Sequence, residues 1–354
     1  MQERSNDKFV KRYAPRTASP RGPMLIAACR SGSGMARKVF EAYRENLGDP
    51  LPGEEEPTFI EDLEGEFSDS ETYVRLGIDV NGFDVFLFQA LLDPGSRRPI
   101  DQNYMAFLIA VRALREWGAN HITAVLPYLA YARQDKPTRF EREPTTANLM
   151  ADLSIQAGID RLITWHPHSQ QVQGFYDHIP VVRMEALSMF VESFQAYRNR
   201  EDVVLVAPDA GAAKLVTRVA RELNLSAAIA SKYRPRPEEA VIEEVIGDFT
   251  GKRTAIVLDD MVSSGGSIHS LVKRLVGEKG IQEVHVAVSH NLCREIALER
   301  LSELHENYGL RSLVQTNSIP QTVAFASLPF LTVVDLSHDL ALAINRIHYN
   351  LPMQ

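Results

Sequence analysis

The stretch 258–271, LDDMVSSGGSIHSL, contains the change of pattern that decides the fold. Two adjacent acids, Asp259 and Asp260, end the apolar run TAIVLDD (254–260), and a turn rich in serine and glycine follows them. A helical pattern begins after the turn, because apolar residues recur at the spacing of one helix face: Ile268, Leu271, Val272, Leu275 and Val276. The stretch therefore predicts a buried strand, a tight turn and an amphipathic helix.

Short apolar runs alternate with helical patterns along the rest of the chain. Further strands are predicted over 24–28, 84–89, 122–127, 161–165, 203–208, 284–290 and 331–336. Most of these runs are apolar throughout, which is typical of parallel strands covered on both faces. The pattern predicts an α/β protein, and a chain of 354 residues has room for two doubly wound domains with mostly parallel sheets.

The boundary between these domains is predicted near 182–200. We expect an N-terminal domain over 24–183, completed by a C-terminal helix over 337–350, and a C-terminal domain over 184–336. Residues 1–23 are polar, basic and contain proline, and they are predicted to be a disordered tail that is not a secretory signal. The acidic segment 48–66, rich in proline and glycine, is predicted to be a surface loop without chemistry.

Composition excludes several classes of function. The net charge of −8 argues against a general nucleic-acid binder, because affinity for the phosphate backbone comes mostly from Lys and Arg. The two cysteines, Cys29 and Cys293, fit no metal-ligand spacing and favour a reducing compartment. No apolar run approaches the roughly 20 residues that span a bilayer. We therefore expect a cytoplasmic protein with no nucleic-acid or membrane partner.

The corner at 258–271 has the chemistry of a sugar-phosphate site. Glycines let the backbone approach a ligand, and the free N–H groups at a helix start attract an anion. The hydroxyls of Ser264 and Ser267 can donate to phosphate oxygens, while Asp259 and Asp260 can accept from sugar hydroxyls or bind a divalent cation. The alternative is a plain turn with an N-cap. Two acids directly after a buried strand favour the functional interpretation and predict a phosphorylated sugar as ligand.

This corner resembles the ribose-phosphate loop of two families, the phosphoribosyltransferases and the phosphoribosyl pyrophosphate synthetases. Further segments resemble motifs of the synthetases, in the same order and at similar spacing: FSDSETYVRL (67–76), LPYLAYARQDK (126–136), HPHSQQVQGFY (166–176), VAPDAGAAKLV (206–216) and SKYRPR (231–236). The chain is therefore identified as a divergent member of the synthetase family, over nearly its whole length except the tail. The resemblance implies a type I phosphoribosyltransferase-like fold. It also implies transfer of a pyrophosphoryl group from ATP to the C1 hydroxyl of ribose 5-phosphate, giving phosphoribosyl pyrophosphate and AMP.

The resemblance also implies a role for each matching residue. Lys232 and Arg234 match the catalytic loop. The ATP-binding positions are Phe67, Asp69, Glu71, Arg133, Gln134 and Asp135. The ribose 5-phosphate positions are Asp259, Asp260, Ser263, Ser264, Gly265, Gly266 and Ser267. The metal positions are His168 and Asp209, with His166 as a further candidate, for Mg²⁺ or alternatively Mn²⁺. The expected partners are ATP, ribose 5-phosphate and other copies of the chain, in a homo-oligomer built from dimers, of which a hexamer is one form.

The sequence departs from the family pattern at four places. Ser263 stands where the family has an acid, His166-Pro167 replaces Asp-Leu, Ser70 replaces a glycine, and one extra residue precedes Pro180. Two alternatives therefore stay open beside an active synthetase. One is a non-catalytic relative that regulates a partner, and the other is a kinase acting on a different sugar phosphate.

Overall fold

The fold contains two parallel sheets, one in each half of the chain. The computed structural model describes residues 13–14, 18–47, 56–96, 98–138, 140–236 and 239–353, and the side chains of 232–243 lie outside that description. The first sheet has six strands, and all neighbours are parallel. In spatial order they are β2 (Thr58–Ile60), β1 (Met24–Ala28), β5 (Asp84–Phe88), β6 (His121–Val125), β7 (Arg161–Trp165) and β8 (Val181–Met184).

Helices and a hairpin accompany this first sheet. Both β1 and β5 are buried along their whole length, as continuous apolar strands require when both faces are covered. A separate antiparallel hairpin is formed by β3 (Glu64–Glu66) and β4 (Thr72–Val74). The helices of this half are α1 (Ser33–Leu47), α2 (Ile100–Glu116), α3 (Thr146–Ala157) and α4 (Val172–Phe175).

The second sheet has seven strands, and only its edge pair is antiparallel. In spatial order they are β11 (Glu239–Ile246), β10 (Ser226–Arg236), β9 (Val203–Ala207), β12 (Thr254–Val262), β13 (Glu283–Asn291), β14 (Leu310–Thr316) and β15 (Leu331–Val334). The helices of this half are α5 (Leu187–Ser193), α6 (Ala213–Leu223), α7 (Gly266–Lys279), α8 (Glu295–Asn307), α9 (Val323–Ala326) and α10 (Ser337–His348). The two sheets confirm the predicted α/β class with mostly parallel strands.

Helix α7 has the predicted amphipathic face. Ile268, Leu271, Val272 and Leu275 are buried, and Val276 packs against the same core as a partly buried neighbour. Helix α10 packs against α1, so the last helix of the chain lies on the first sheet. One core cluster contains Phe86 of β5, Leu205 of β9 and Ile344 of α10, and it therefore joins the two halves. The boundary between the domains stays a prediction.

Two segments differ from expectation. Within the predicted tail, Ala14 N donates to Asn345 Oδ1 at 2.7 Å, and Arg21 is paired with buried Asp84 at 3.0 Å. The described residues 13–14 and 18–23 are thus held in place, whereas 1–12 and 15–17 lie outside the description. The predicted surface loop over 48–66 is wrong where it is described, because 58–60 and 64–66 are strands and the Glu64 side chain is buried. Residues 48–55 of that loop lie outside the description.

No helix in the described part of the chain is long and apolar enough to cross a membrane.

Candidate active site

The strand order of the second sheet places the site. From β9 the chain moves to β10 and β11 on one side, and β12 then pairs with the other side of β9. The order reverses between β9 and β12, and open α/β sheets bind ligands outside the carboxyl ends of strands at such a point. Asp209 follows β9, while Asp259 and Asp260 lie near the end of β12. The structure thus brings these three predicted residues to one crevice.

The predicted ribose-phosphate loop, residues 263–267, comprises the turn after β12 and the first two residues of α7. Gly265 has φ of 72°, in the left-handed region that favours glycine, and α7 begins at the next residue. Among the side chains that the structure describes, none caps this helix start, and its first turn contains no acid, so its N–H groups are open to an anion. A neighbouring helix comes close to the second glycine, because a Cβ on Gly266 would lie 3.2 Å from Nη1 of Arg300 in α8.

The two acids of the corner have different protonation behaviour. Asp260 N donates to Asp259 Oδ1 at 2.9 Å, and both side chains are partly buried. Burial, together with the charges of Asp260 and Asp209, raises the pKa of Asp259 well above its usual value. Burial also acts to raise the pKa of Asp260, but the hydrogen bond and charge of His168 outweigh it and lower that pKa to about 2. Asp260 is therefore the ionised member of the pair.

His168 reaches across from the first sheet to the second. It follows β7, and its Nδ1 lies 2.5 Å from Asp260 Oδ2. The hydrogen bond with Asp260 raises the pKa of His168 in spite of burial. This contact joins a residue of the predicted metal site to one of the predicted sugar site.

His166 is more buried than His168, and it is hydrogen-bonded to two residues that the sequence analysis missed. Its Nδ1 lies 2.5 Å from Ser289 Oγ, and its carbonyl oxygen lies 3.1 Å from His290 Nε2. Burial lowers the pKa of His166, and its φ of 36° is unusual for a side chain of this size. Ser289 and His290 end the predicted strand 284–290, and their position at its carboxyl end was the signal available for finding them.

The described side chains at this crevice supply too few ligands to hold a divalent metal alone, but they fit a metal that is also bound by a substrate. Among the described residues no three His, Cys, Asp or Glu side chains are grouped as a metal cage. Asp209 Oδ1 accepts from Gly211 N at 2.9 Å, and His168 is oriented by its bond to Asp260. Mg²⁺ is usually bound by one or two protein ligands together with nucleotide phosphates and waters. A metal-binding histidine usually forms a hydrogen bond to a carboxylate through its other ring nitrogen. His168 and Asp209 therefore suit a metal that arrives with a nucleotide.

The segment predicted to bind ATP lies on the same side of the molecule as His168. Arg133 is exposed, and its charge and that of Asp135 both act on the pKa of His168. The side chain of Gln134 is already bonded, since its Oε1 accepts from Thr146 Oγ1 at 2.6 Å. The charges of Arg133 and Asp135 thus act on a residue of the crevice, whereas the side chain of Gln134 is bonded to the first residue of α3.

Phe67, Asp69 and Glu71 lie in the turn of the β3–β4 hairpin. The Phe67 side chain is 51% exposed and its ring contacts Tyr73 at 4.8 Å between centroids. Ser70, the position of the family's glycine, has φ of 75°, which explains why a glycine suits that turn. In the described part of the chain, no hydrogen bond or ion pair connects residues 67–71 with the crevice.

The backbones of Lys232 and Arg234 lie on β10, which pairs with the edge strand β11, rather than in an open loop. The Lys232 backbone pairs with Ile242 across the antiparallel β10–β11 ladder, and the register shifts on both sides of Lys232 and Tyr233. The side chains of Lys232 and Arg234 lie outside the described part of the structure. Their predicted role therefore stays a prediction.

A cavity of about 470 Å³ lies elsewhere, between the segment after β4 and the end of α2. Its lining includes Arg75, Ile78 and Trp117 and none of the predicted site residues. The cavity is therefore not part of the crevice.

A strand–turn–helix corner with two acids at the reversal point of a mostly parallel sheet is typical of a phosphoribosyltransferase-type α/β protein. Residues 24–158 match the family model described as the N-terminal domain of ribose phosphate pyrophosphokinase, and residues 176–309 match the phosphoribosyl transferase domain. The ribose-phosphate pyrophosphokinase of Clostridium acetobutylicum is 37% identical over 82% of this chain and 86% of its own. That of Bacillus subtilis is 36% identical over 80% of this chain and 84% of its own.

One solved structure is similar over almost the whole chain. The crystal structure of phosphoribosylpyrophosphate synthetase from Mycobacterium smegmatis has a TM-score of 0.77 and 31% identity, covering 93% of this chain and 99% of that one. The chain belongs to the ribose-phosphate pyrophosphokinase family. Members of this family require a divalent metal in general, and the resemblance drawn from the sequence motifs is confirmed.

Proposed function

We propose that this protein transfers the pyrophosphoryl group of ATP to the C1 hydroxyl of ribose 5-phosphate, forming phosphoribosyl pyrophosphate and AMP. Its family membership supports this reaction. The single observation that supports it is the His168–Asp260 contact, because it joins a proposed metal ligand after a strand of the first sheet to a proposed sugar-binding residue in the second. The C1 oxygen bonds to the β-phosphorus as the bond from that phosphorus to the α,β-bridging oxygen breaks, and AMP leaves with that oxygen.

The sugar is held by the corner of the second sheet. The open N–H groups at the start of α7 and the hydroxyls of Ser264 and Ser267 bind its 5-phosphate. Asp260, whose pKa is lowered to about 2, accepts from ribose hydroxyls, and Asp259 lies beside it with a raised pKa. Ser263 is uncharged, so it does not repel a phosphate dianion as an acid at that position would.

The nucleotide is held by positive charge and by the first sheet. Arg133 binds the phosphates of ATP, with Asp135 beside it. Lys232 and Arg234 neutralise negative charge on the pyrophosphoryl group as it is transferred. Phe67 stacks on adenine, with Asp69 and Glu71 at the same turn. Because no described hydrogen bond or ion pair links this turn to the crevice, we propose that Phe67 serves the ATP of a neighbouring subunit.

A divalent metal, Mg²⁺ or alternatively Mn²⁺, would be held by His168 and Asp209, and it would neutralise phosphate charge. The Nδ1 of His166 is bonded to Ser289, so only its Nε2 could add a ligand. Imidazole suits softer ions better than Mg²⁺, so a preference for Mn²⁺ is the expected sign that His166 takes part.

The protein is proposed to be a homo-oligomer built from dimers, with a hexamer as one form. Exposed apolar side chains on neighbouring helices support this assembly: Met105 of α2, and Leu149 and Leu153 of α3. Light scattering tests it, and a monomer at working concentration would contradict it. A cytoplasmic location is proposed as well, because Cys29 and Cys293 are both free and buried.

The reaction is tested by resolving nucleotides after incubation with ATP, ribose 5-phosphate and either metal. We expect AMP to appear one-for-one with phosphoribosyl pyrophosphate, and only when the sugar is present. ADP in place of AMP would mean γ-phosphoryl transfer by a different kinase. No nucleotide change with either metal would favour a regulatory relative, and Ser263→Asp would then show whether the missing acid is the cause.

A further inference from the structure

Helix α8 lies against the outer side of the ribose-phosphate loop. A Cβ on Gly265 would lie 3.5 Å from Cα of Ala297, and one on Gly266 would lie 3.2 Å from Nη1 of Arg300. Arg300 is partly buried and comes one helical turn after Ala297, so the two residues share a face of α8. The loop therefore has two sides, one closed by α8 and one open at the start of α7.

Arg300 makes one specific bond to this loop. Its Nη1 donates to the carbonyl oxygen of Ser264 at 2.8 Å. The Ser264–Gly265 peptide is trans, and in a trans peptide the C=O and the following N–H point in opposite directions. A carbonyl held toward α8 therefore turns the Gly265 N–H away from α8, toward the open side of the loop.

That orientation decides whether the loop attracts or repels a phosphate. A glycine can change its φ and ψ at little cost, so the peptide before Gly265 can rotate unless something holds it. If it rotated, the Ser264 carbonyl would face the anion, and one N–H donor would be lost. A charged donor such as a guanidinium makes a stronger hydrogen bond to a carbonyl than a neutral donor does.

We propose that Arg300 is a positioning residue for the sugar phosphate: it holds the Ser264–Gly265 peptide with its N–H toward the 5-phosphate and places a positive charge behind the loop. The proposal rests on the proposed function for the identity of the sugar. It extends the site to a helix that the motifs at 258–267 do not include. Ser263 contributes no charge to the loop, whereas Arg300 brings a positive charge into direct contact with it.

The test measures binding of ribose 5-phosphate by calorimetry in Arg300→Met, Arg300→Lys and the parent. We expect Arg300→Met to weaken binding by about 10- to 100-fold, the range of a charge-assisted hydrogen bond, and to raise KM for the sugar while KM for ATP stays within about twofold. Arg300→Lys keeps a charged donor and should recover most of the affinity. Arg311→Met, which removes an exposed arginine paired with Glu283 at 3.7 Å, is the matched control and should bind like the parent.

Two results would overturn the proposal. One is unchanged sugar affinity in Arg300→Met, and the other is an equal rise in KM for ATP and for the sugar, which is the mark of a general structural defect. If Arg300→Met does not fold, Arg300→Gln carries the same comparison, since it keeps a donor and removes the charge. Because binding is measured without turnover, a parent that binds the sugar but forms no AMP would refute the proposed function and leave this test intact.

Discussion

His168 Nδ1 and Asp260 Oδ2 lie 2.5 Å apart, although one residue follows a strand of the first sheet and the other lies near the end of a strand of the second. Their side chains are 41% and 19% exposed, so a ligand in the crevice can reach both. Each also shifts the pKa of the other, upward for the histidine and downward for the acid. The geometry of the crevice therefore depends on the two halves of the chain keeping their relative position.

His168→Ala should lower kcat by about 100-fold, because it removes a proposed metal ligand and the partner of Asp260. Asp260→Asn should have a similar effect. Since the two residues act through one hydrogen bond, the double variant should cost much less than the product of the two single losses. Steady-state kinetics of all three variants test this, with exposed His178→Ala as control. Independent, multiplying losses would show that the contact does not matter to the reaction.

Lys232→Ala should leave ATP binding nearly intact and reduce turnover by about 10³-fold, by analogy with arginines that clamp transferring phosphates. The physical reason is that charge near the transferring group matters most in the transition state. Equilibrium binding of ATP and the rate of AMP formation are measured side by side. Lys279→Ala, which removes a lysine near the Phe249 ring at the end of α7, is the control. Turnover at the parent rate in Lys232→Ala would remove the catalytic assignment.

Much of the fold was predictable because buried parallel strands leave continuous apolar runs. The strands predicted at 24–28 and 161–165 have those bounds in the structure, and the corner at 258–271 forms as expected. Strands β10 and β11 were missed, because an edge hairpin with charged residues does not show a continuous apolar run. Short strands such as β8 were missed because four residues give too little pattern.

The sequence offered the candidate site residues one by one but not how they come together, and their roles stay predictions. Asp259 and Asp260 were predicted from their position at the carboxyl end of a strand, since parallel strands end at a common edge, and Asp209 from the family resemblance. The contact between His168 and Asp260 depends on how one sheet packs against the other, and no local pattern records that. The burial of Glu64 was equally invisible, because its acidic, Pro- and Gly-rich surroundings have the composition of a solvated loop.

His290 should make stability pH-dependent. Burial lowers the pKa of His290 to about 4, against about 6.5 in the unfolded chain, so below pH 6.5 the unfolded state takes up a proton that the folded state does not. This contribution is absent at pH 7.5 and destabilises by about 2 kcal/mol at pH 5. His290→Gln keeps a donor for the His166 carbonyl and an acceptor for Ser318. It should reduce the loss of stability between pH 7.5 and pH 5 by about 2 kcal/mol.

Urea unfolding of the parent and His290→Gln at pH 7.5 and pH 5 measures the difference. Exposed His178→Gln should show the same pH dependence as the parent. If the free energy of unfolding changed equally between pH 7.5 and pH 5 in the parent and in His290→Gln, His290 would not be buried as a neutral imidazole.

Arg98→Met should destabilise the protein by about 3 kcal/mol, because it leaves the carboxylate of Glu64 buried without its cation. Arg98 Nη1 donates to Glu64 Oε1 at 2.9 Å, and the two side chains are 11% and 0% exposed. The other carboxylate oxygen of Glu64 accepts from Arg30 N at 2.7 Å, so this acid fastens the base of the Phe67 hairpin to the end of β1. A loosened hairpin should also raise KM for ATP.

A second change separates the buried charge from the packing. Adding Glu64→Gln to Arg98→Met removes the uncompensated charge, while the amide oxygen can still accept from Arg30 N, so most of the lost stability should return. Arg75→Met, which removes an exposed arginine over the Tyr73 ring of the same hairpin, is the control and should cost under about 1 kcal/mol. Chemical denaturation of the four proteins gives the free energies of unfolding. A double variant less stable than Arg98→Met would show that the arginine acts through its packing, not through the charge of Glu64.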